Sequence, residues 1–234
     1  MTIAGLQKMT LLDYPGRVAC TVFLQGCNFR CPFCHNSDLL DRQGSGSISV
    51  QELLSFLKKR QGLLDGVCIT GGEPTLQPDL EDLIREIKAL GFLVKLDTNG
   101  ARPEVLEYLV GKGLVDYVAM DIKNSPEEYP VTAGISRLDG VERSIQFLMR
   151  GELEYEFRTT VVQELHNNES VNSMANWLLK LAPGYKVKRF FLQSYVNRDS
   201  VLCSGLSAPD EKTLAEYADI LRICAENVSI RGNL

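Results

Sequence analysis

Apolar and polar positions along this chain alternate between two periods. Short apolar runs rich in β-branched and aromatic residues, of strand length, alternate with longer stretches in which apolar residues return every three to four positions. The first pair is a strand over Val18–Gln25 and a helix over Ile48–Gln61. That helix carries Val50, Leu53, Leu54 and Leu57 on one face, and Ser49 with Glu52 three residues later forms a capping box. Five further pairs follow: Gly66–Thr70 with Asp79–Leu90, Leu93–Asp97 with Pro103–Lys112, Tyr117–Asp121 with Leu138–Arg150, Tyr155–Val162 with Val171–Leu181, and Arg189–Leu192 with Pro209–Glu226. Six strand–helix units in series predict an α/β fold with a parallel sheet. A closed barrel of this kind needs eight units and typically ~250 residues, so the pattern predicts a partial (β/α)6 TIM-like barrel that stays open. Residues 1–17 read as an entry segment with a turn at Asp13-Tyr14-Pro15-Gly16. Residues 41–47 read as a polar, glycine-rich mobile loop, and residues 227–234 as a short tail ending in a strand. No composition shift marks a boundary, so 1–234 reads as one domain.

Composition narrows the function classes. A chain of 234 residues with 44% hydrophobic content suits a soluble globular protein. No run of 18 apolar residues and no signal-peptide pattern appears, so neither a membrane nor secretion is expected. The net charge of −5, with signs mixed, gives no electrostatic case for a nucleic-acid partner. Lys186–Arg189 reads as a solvated strand entrance. Seven cysteines without a secretion signal point to a reducing compartment, the cytoplasm. Cys20, Cys68 and Cys224 lie in apolar patterns and read as buried small hydrophobes. Cys203 lies in a loop, and its role stays open.

The remaining three cysteines fall close together in Cys27-Asn28-Phe29-Arg30-Cys31-Pro32-Phe33-Cys34-His35-Asn36. Thiolates at C-x3-C-x2-C spacing can hold three irons of a 4Fe–4S cluster and leave the fourth open to a small molecule. A zinc site wants four ligands, and His35, adjoining Cys34, would strain a tetrahedron. A disulfide leaves one cysteine odd.

Other unusual residues gather just after strand ends, where parallel β/α folds carry their sites. Gly71-Gly72-Glu73-Pro74 follows the second of the six strands, Asp97-Thr98 ends the third and Asp121-Ile122-Lys123 ends the fourth. Two glycines permit close approach of backbone to a ligand and torsions closed to other residues, and Glu73 can accept from an ammonium group. Arg158, inside the fifth strand, needs an anionic partner, for which Glu73 or a cosubstrate carboxylate are candidates beside a purely structural salt bridge. His166 lies in a polar loop and reads as solvated, and Trp177 reads as core. No hydrolytic triad and no phosphate-binding loop appears. Convergence of four motifs at one end of the sheet favours the cluster over zinc.

The C-x3-C-x-aromatic-C motif, with Phe33 as the aromatic, resembles the signature of radical S-adenosylmethionine (radical SAM) enzymes. The flanks Phe23-Leu24-Gln25-Gly26 and His35-Asn36 look like the branch that activates glycyl radical enzymes. Thr10–Arg17 resembles the start of the longer anaerobic ribonucleoside-triphosphate reductase activating proteins; pyruvate formate-lyase activating enzyme is a relative. The resemblance implies cluster ligation by Cys27, Cys31 and Cys34. It implies contact between Gly71, Gly72 and Glu73 and the amino group of S-adenosylmethionine, with Phe33 and His35 near the cofactors. It also implies a monovalent cation bounded by Asp97, Thr98 and Asp121, with Lys123 positioning the cosubstrate or peptide. Where that relative has a histidine this chain reads Leu192-Gln193-Ser194-Tyr195, leaving Gln193 as the candidate contact. The implied activity is one-electron cleavage of S-adenosylmethionine to a 5′-deoxyadenosyl radical that takes a hydrogen atom from a partner's glycine. The implied partner is an anaerobic ribonucleotide reductase, with a flavodoxin or ferredoxin as electron donor. Activation of pyruvate formate-lyase, and a non-catalytic iron–sulfur or zinc module, are the competing readings.

Overall fold

The computed structural model describes residues 1–41 and 48–231; the mobile loop expected over 41–47 falls almost wholly outside them. Among the described residues eight strands form one sheet whose order follows the sequence: β1 (Ile3–Thr10), β2 (Ala19–Leu24), β3 (Gly66–Gly71), β4 (Leu93–Thr98), β5 (Tyr117–Asp121), β6 (Glu154–Val161), β7 (Val187–Ser194) and β8 (Ala225–Arg231). Seven α-helices intervene among the described residues: α1 (Val50–Lys58), α2 (Leu80–Ala89), α3 (Pro103–Gly111), α4 (Tyr129–Ala133), α5 (Asp139–Arg150), α6 (Asn168–Leu181) and α7 (Glu211–Leu221). From β2 to α7 every strand is followed by a helix, which is the six-unit alternation expected, in an open sheet. Two expectations need correction. The entry segment contains a strand, β1, antiparallel to β2 with Ile3 opposite Leu24 and Thr10 opposite Ala19. The last helix stops at Leu221, and the chain is already extended at Ala225.

The chain divides into two compact units. The first comprises residues 1–28, 38–98 and 104–119. In it β2 and β3 run parallel, Ala19 opposite Gly66 through Leu24 opposite Gly71, and β4 continues from β3. The expected capping box opens α1: the Glu52 N–H donates to Ser49 Oγ at 3.2 Å and the Ser49 N–H to Glu52 Oε2 at 2.8 Å. Leu53 and Leu57 of α1, and Leu83, Ile84 and Ile87 of α2, are buried. The second unit comprises residues 29–37, 99–103 and 120–234. Its strands β6, β7 and β8 are parallel. Glu156, buried on β6, is held by both guanidinium nitrogens of Arg231 at 2.9 Å, and that guanidinium stacks on Phe191. A buried carboxylate is tolerated when it is paired in this way.

Candidate active site

In the first unit, the loop after β3 is welded to the chain leaving β2. The Gly72 N–H donates to the Leu24 carbonyl at 2.9 Å and the Glu73 N–H to the Gly26 carbonyl at 2.8 Å. The Gly26 and Cys27 N–H groups donate onward to the carbonyls of Leu39 and Leu40. A Cβ on Gly71, whose φ is +120°, would stand 2.2 Å from the Leu24 carbonyl oxygen; one on Gly72 would stand 2.2 Å from that of Gly26. The glycines are therefore required by backbone lying on backbone, and at Gly71 also by a torsion closed to other residues, as the sequence suggested. The stem that presents Cys27 and the Gly-Gly-Glu loop are one construction.

Glu73 is 1% exposed. Its Oε1 accepts from the Thr75 N–H at 3.1 Å, the Thr75 hydroxyl at 2.5 Å and the Thr98 hydroxyl at 2.8 Å. It thus caps its own 3₁₀ turn, Pro74–Leu76, and ties the β3 tip to the β4 tip. Two residues before Cys27, the Oε1 of buried Gln25 has no hydrogen-bond partner. An orphaned buried acceptor costs roughly 1–3 kcal/mol, so this one marks a place suited to an incoming donor.

Side chains two apart on a strand share a face, and on β4 this pairs Asp97 with Lys95. Lys95 is 1% exposed; its ammonium makes a short ion pair with Asp97 Oδ1 and reaches Cys68 Sγ at 3.7 Å. The Cys68 thiol in turn donates to Asp97 Oδ1 at 3.6 Å. Cys68 is therefore part of a polar network rather than a plain small hydrophobe.

In the second unit, the Cys34 N–H donates to the Cys31 carbonyl at 3.1 Å, folding residues 31–34 into a turn. Cys31 and Phe33 are buried, and Cys34 is partly buried. The Arg30 N–H donates to the Ala133 carbonyl at the end of α4. The segment after β7 grips the other side of the loop. His35 stacks on Tyr195 with ring centroids 5.7 Å apart, and its Nε2 lies 2.6 Å from the Val196 carbonyl, which requires a proton on that nitrogen. Burial lowers the His35 pKa in spite of that bond, and Arg198 lowers it further. Exposed Cys203 donates its backbone N–H to the Pro32 carbonyl at 3.1 Å.

Asp121, Lys123 and Arg158 are brought together in this unit. The Lys123 ammonium stands 2.9 Å from Asp121 Oδ2 and the Arg158 Nε 3.0 Å from Oδ1. The anionic partner that Arg158 requires is thus supplied by Asp121, which the family resemblance implied would face a cation. Burial alone would raise the Asp121 carboxyl, but Arg158 and Lys123 overcome it and hold the pKa at about 2. His166, expected in solvent, is 3% exposed; its Nε2 lies 3.0 Å from the Lys123 carbonyl, and burial lowers its pKa. Gln193 sits in β7 opposite Thr160 and Arg231.

Lys95, Gln25 and His166 were not read as site-forming residues. For Lys95 a signal existed: a lysine inside the apolar run Leu93-Val94-Lys95-Leu96 is a charge a buried strand keeps only with a partner. Nothing in the local pattern distinguishes His166, and Gln25 stood out only within the Phe23–Gly26 flank.

The radical SAM superfamily model matches residues 21–176, and the chain belongs to that superfamily. A Methanocaldococcus jannaschii protein, provisionally named a glycyl-radical enzyme activating enzyme, is 32% identical over 239 residues, covering 98% of this chain and 95% of its own; the chain belongs to that activating family. The pyruvate formate-lyase-activating enzyme of Clostridium pasteurianum is 33% identical over 135 residues, 54% of each chain. A radical SAM methyltransferase structure from Sphaerobacter thermophilus superposes with a TM-score of 0.73 at 14% identity, over 96% of this chain and 68% of its own, a likeness of fold. Enzymes of this superfamily use a 4Fe–4S cluster and S-adenosylmethionine.

The donor set fits those cofactors. Cys27, Cys31 and Cys34 are in no disulfide. Among the described residues no three histidine, cysteine, aspartate or glutamate side chains converge closely enough for a single metal ion, whereas a cube of iron and sulfide spreads its thiolates more widely. The Gln25 oxygen, two residues before Cys27 in the chain, is a buried acceptor without a hydrogen-bond partner. The implied monovalent cation does not fit. The Asp97 carboxylate already carries an ammonium, and Asp121 carries an ammonium and a guanidinium.

Proposed function

We propose that this enzyme holds a 4Fe–4S cluster on Cys27, Cys31 and Cys34, binds S-adenosylmethionine beside it, and generates a glycyl radical on an anaerobic ribonucleotide reductase. Bound there, cluster and cosubstrate supply one-electron cleavage and abstraction of a hydrogen atom. The chain's own work is to hold, orient and exclude water. The observation that carries this reading is the direct hydrogen bonding of the Gly71–Glu73 loop to the residues just before Cys27. Cofactor ligand and cosubstrate loop cannot move independently, which is what a reaction between the two demands.

In this reading Gly71, Gly72 and Glu73 hold the amino end of the cosubstrate, with Glu73 acting by keeping its loop rigid and Thr98 by locking Glu73. Lys123, steadied through its main chain by His166 and by the Tyr129 hydroxyl, to which its N–H donates at 3.1 Å, positions cosubstrate or peptide. Phe33 and His35 shape the cluster loop. No acid or base is needed for hydrogen-atom transfer. The choice of ribonucleotide reductase is supported by the resemblance of Thr10–Arg17. A second reading, activation of pyruvate formate-lyase, is favoured by the names of relatives such as the Clostridium pasteurianum enzyme.

Both readings meet in one experiment. The reduced, oxygen-free enzyme is mixed with S-adenosylmethionine and each candidate partner, with flavodoxin or ferredoxin as donor. A glycyl EPR doublet is expected on the ribonucleotide reductase. A doublet on pyruvate formate-lyase alone transfers the assignment to the second reading, and silence on both removes the activating function.

A further inference from the structure

The resemblance brought with it a cation beside the cosubstrate, and the carboxylates meant to bind it are each occupied by a charge of the chain's own. Lys95 is the informative residue. It is the most fully enclosed ammonium among the described residues, in mid-strand, with its Nζ against Asp97 and Cys68. Burying a lysine head is costly unless it is paired. Asp97 therefore cannot give up this partner to a bound ion without leaving an uncompensated charge in the sheet. A second positive charge at the same carboxylate would be repelled at close range in a medium of low polarity. At Asp121 the case is stronger still, because two cations already flank one carboxylate.

We propose that this enzyme needs no monovalent cation at its strand tips: Lys95 at Asp97, and Lys123 with Arg158 at Asp121, are the built-in replacements. The proposal rests on the cofactor reading above but is tested separately from it. A free ion is lost and regained with the salt of the medium, whereas a side chain of the protein itself is always present. Affinity for S-adenosylmethionine then depends on the folded chain alone.

Binding of S-adenosylmethionine to the reconstituted enzyme is measured in potassium, sodium and tetramethylammonium buffers of equal ionic strength. The dissociation constant is expected to agree within about twofold across the three. Lys95→Met removes the ammonium and is expected to weaken binding in tetramethylammonium and to recover when potassium or sodium is added. Lys95→Arg, which keeps the charge, should stay indifferent to the salt. A second readout avoids the cofactors: ²³Na relaxation of the iron-free chain should show no saturable site in the native protein and a gained one in Lys95→Met. If Lys95→Met does not fold, the native protein and Lys95→Arg decide. A loss of affinity of roughly tenfold or more for the native enzyme in tetramethylammonium, or a saturable sodium site in the native chain, overturns the proposal. Failure to bind S-adenosylmethionine in every buffer would instead sink the cofactor reading, and the sodium measurement would still judge Lys95.

Discussion

Replacing Cys31 with alanine is expected to cost the enzyme its cluster and its cleavage of S-adenosylmethionine while leaving the fold in place. Cys31 lies in the short turn it makes with Cys34, outside every strand and helix. Its side chain is buried but small and belongs to that turn, so the thermal transition of the iron-free protein should move little. Loss of residues that only support a metal ligand typically lowers metal affinity by roughly 10–100-fold, and loss of the ligand itself should exceed that. Cys27→Ala and Cys34→Ala should behave alike. The contrast is with Cys20 and Cys224, buried in strand and helix packing, where burial pushes the thiol pKa to about 12. Those thiols stay protonated and inert, so Cys20→Ala should keep its iron. Iron and sulfide analysis with product assay across the set checks the prediction. Full cluster content in Cys31→Ala would remove that residue from the ligand set.

The second large effect is structural. Gly71→Ala places a methyl group 2.2 Å from the Leu24 carbonyl oxygen and 2.4 Å from its nitrogen, at a φ of +120° that an L side chain rarely adopts. Neither atom can yield, because both belong to the strand β2 backbone. Relief requires the loop to leave the stem of Cys27, breaking the Gly72-to-Leu24 and Glu73-to-Gly26 bonds. Strain and lost bonds together should destabilise by about 2–4 kcal/mol, which for a chain of this size lowers Tm by about 4–16 °C. Cleavage of S-adenosylmethionine should fall with it, even in chains that remain folded at the assay temperature. Gly91 is the control. Its φ is +88°, yet nothing lies within 4 Å of a Cβ there, so Gly91→Ala incurs only the backbone term of roughly 1–2 kcal/mol. Differential scanning calorimetry of the iron-free variants separates the two; equal shifts would show that the close approach to β2 carries no weight.

Much of this was legible in the residues because the local rules and the fold agree. The alternation of strand and helix periods, the Ser49–Glu52 box and the position of each motif just past a strand all follow from patterns a few residues long. The first strand of the sheet escaped, and the start of the last was placed late, for the opposite reason. Ile3–Thr10 and Ala225–Arg231 mix exposed polar and buried apolar positions without a clean period of two, so their identity comes from the neighbour they pair with. The short helix Tyr129–Ala133 hides behind a proline at its second position. The Gly-Gly pair and the special torsion at Gly71 were recognised, but part of the need for glycine is set by residues almost 50 positions earlier. His166 looked like loop because its polar neighbours are loop, while its own ring is enclosed by contacts to Val162 and Lys123. Long-range partners of this kind leave no mark in the segment that contains them.

Comparison with relatives settles the family; the ligand set at the cluster is where the account is most exposed. Mössbauer and EPR spectroscopy of the oxygen-free, reconstituted enzyme with and without S-adenosylmethionine addresses it directly. The account predicts four irons per chain, one of them without a cysteine ligand and altered by the cosubstrate. A chain that holds no cluster, or a cluster whose four irons are all bound by its own side chains, with Cys203 beside the loop as the fourth donor, would contradict it.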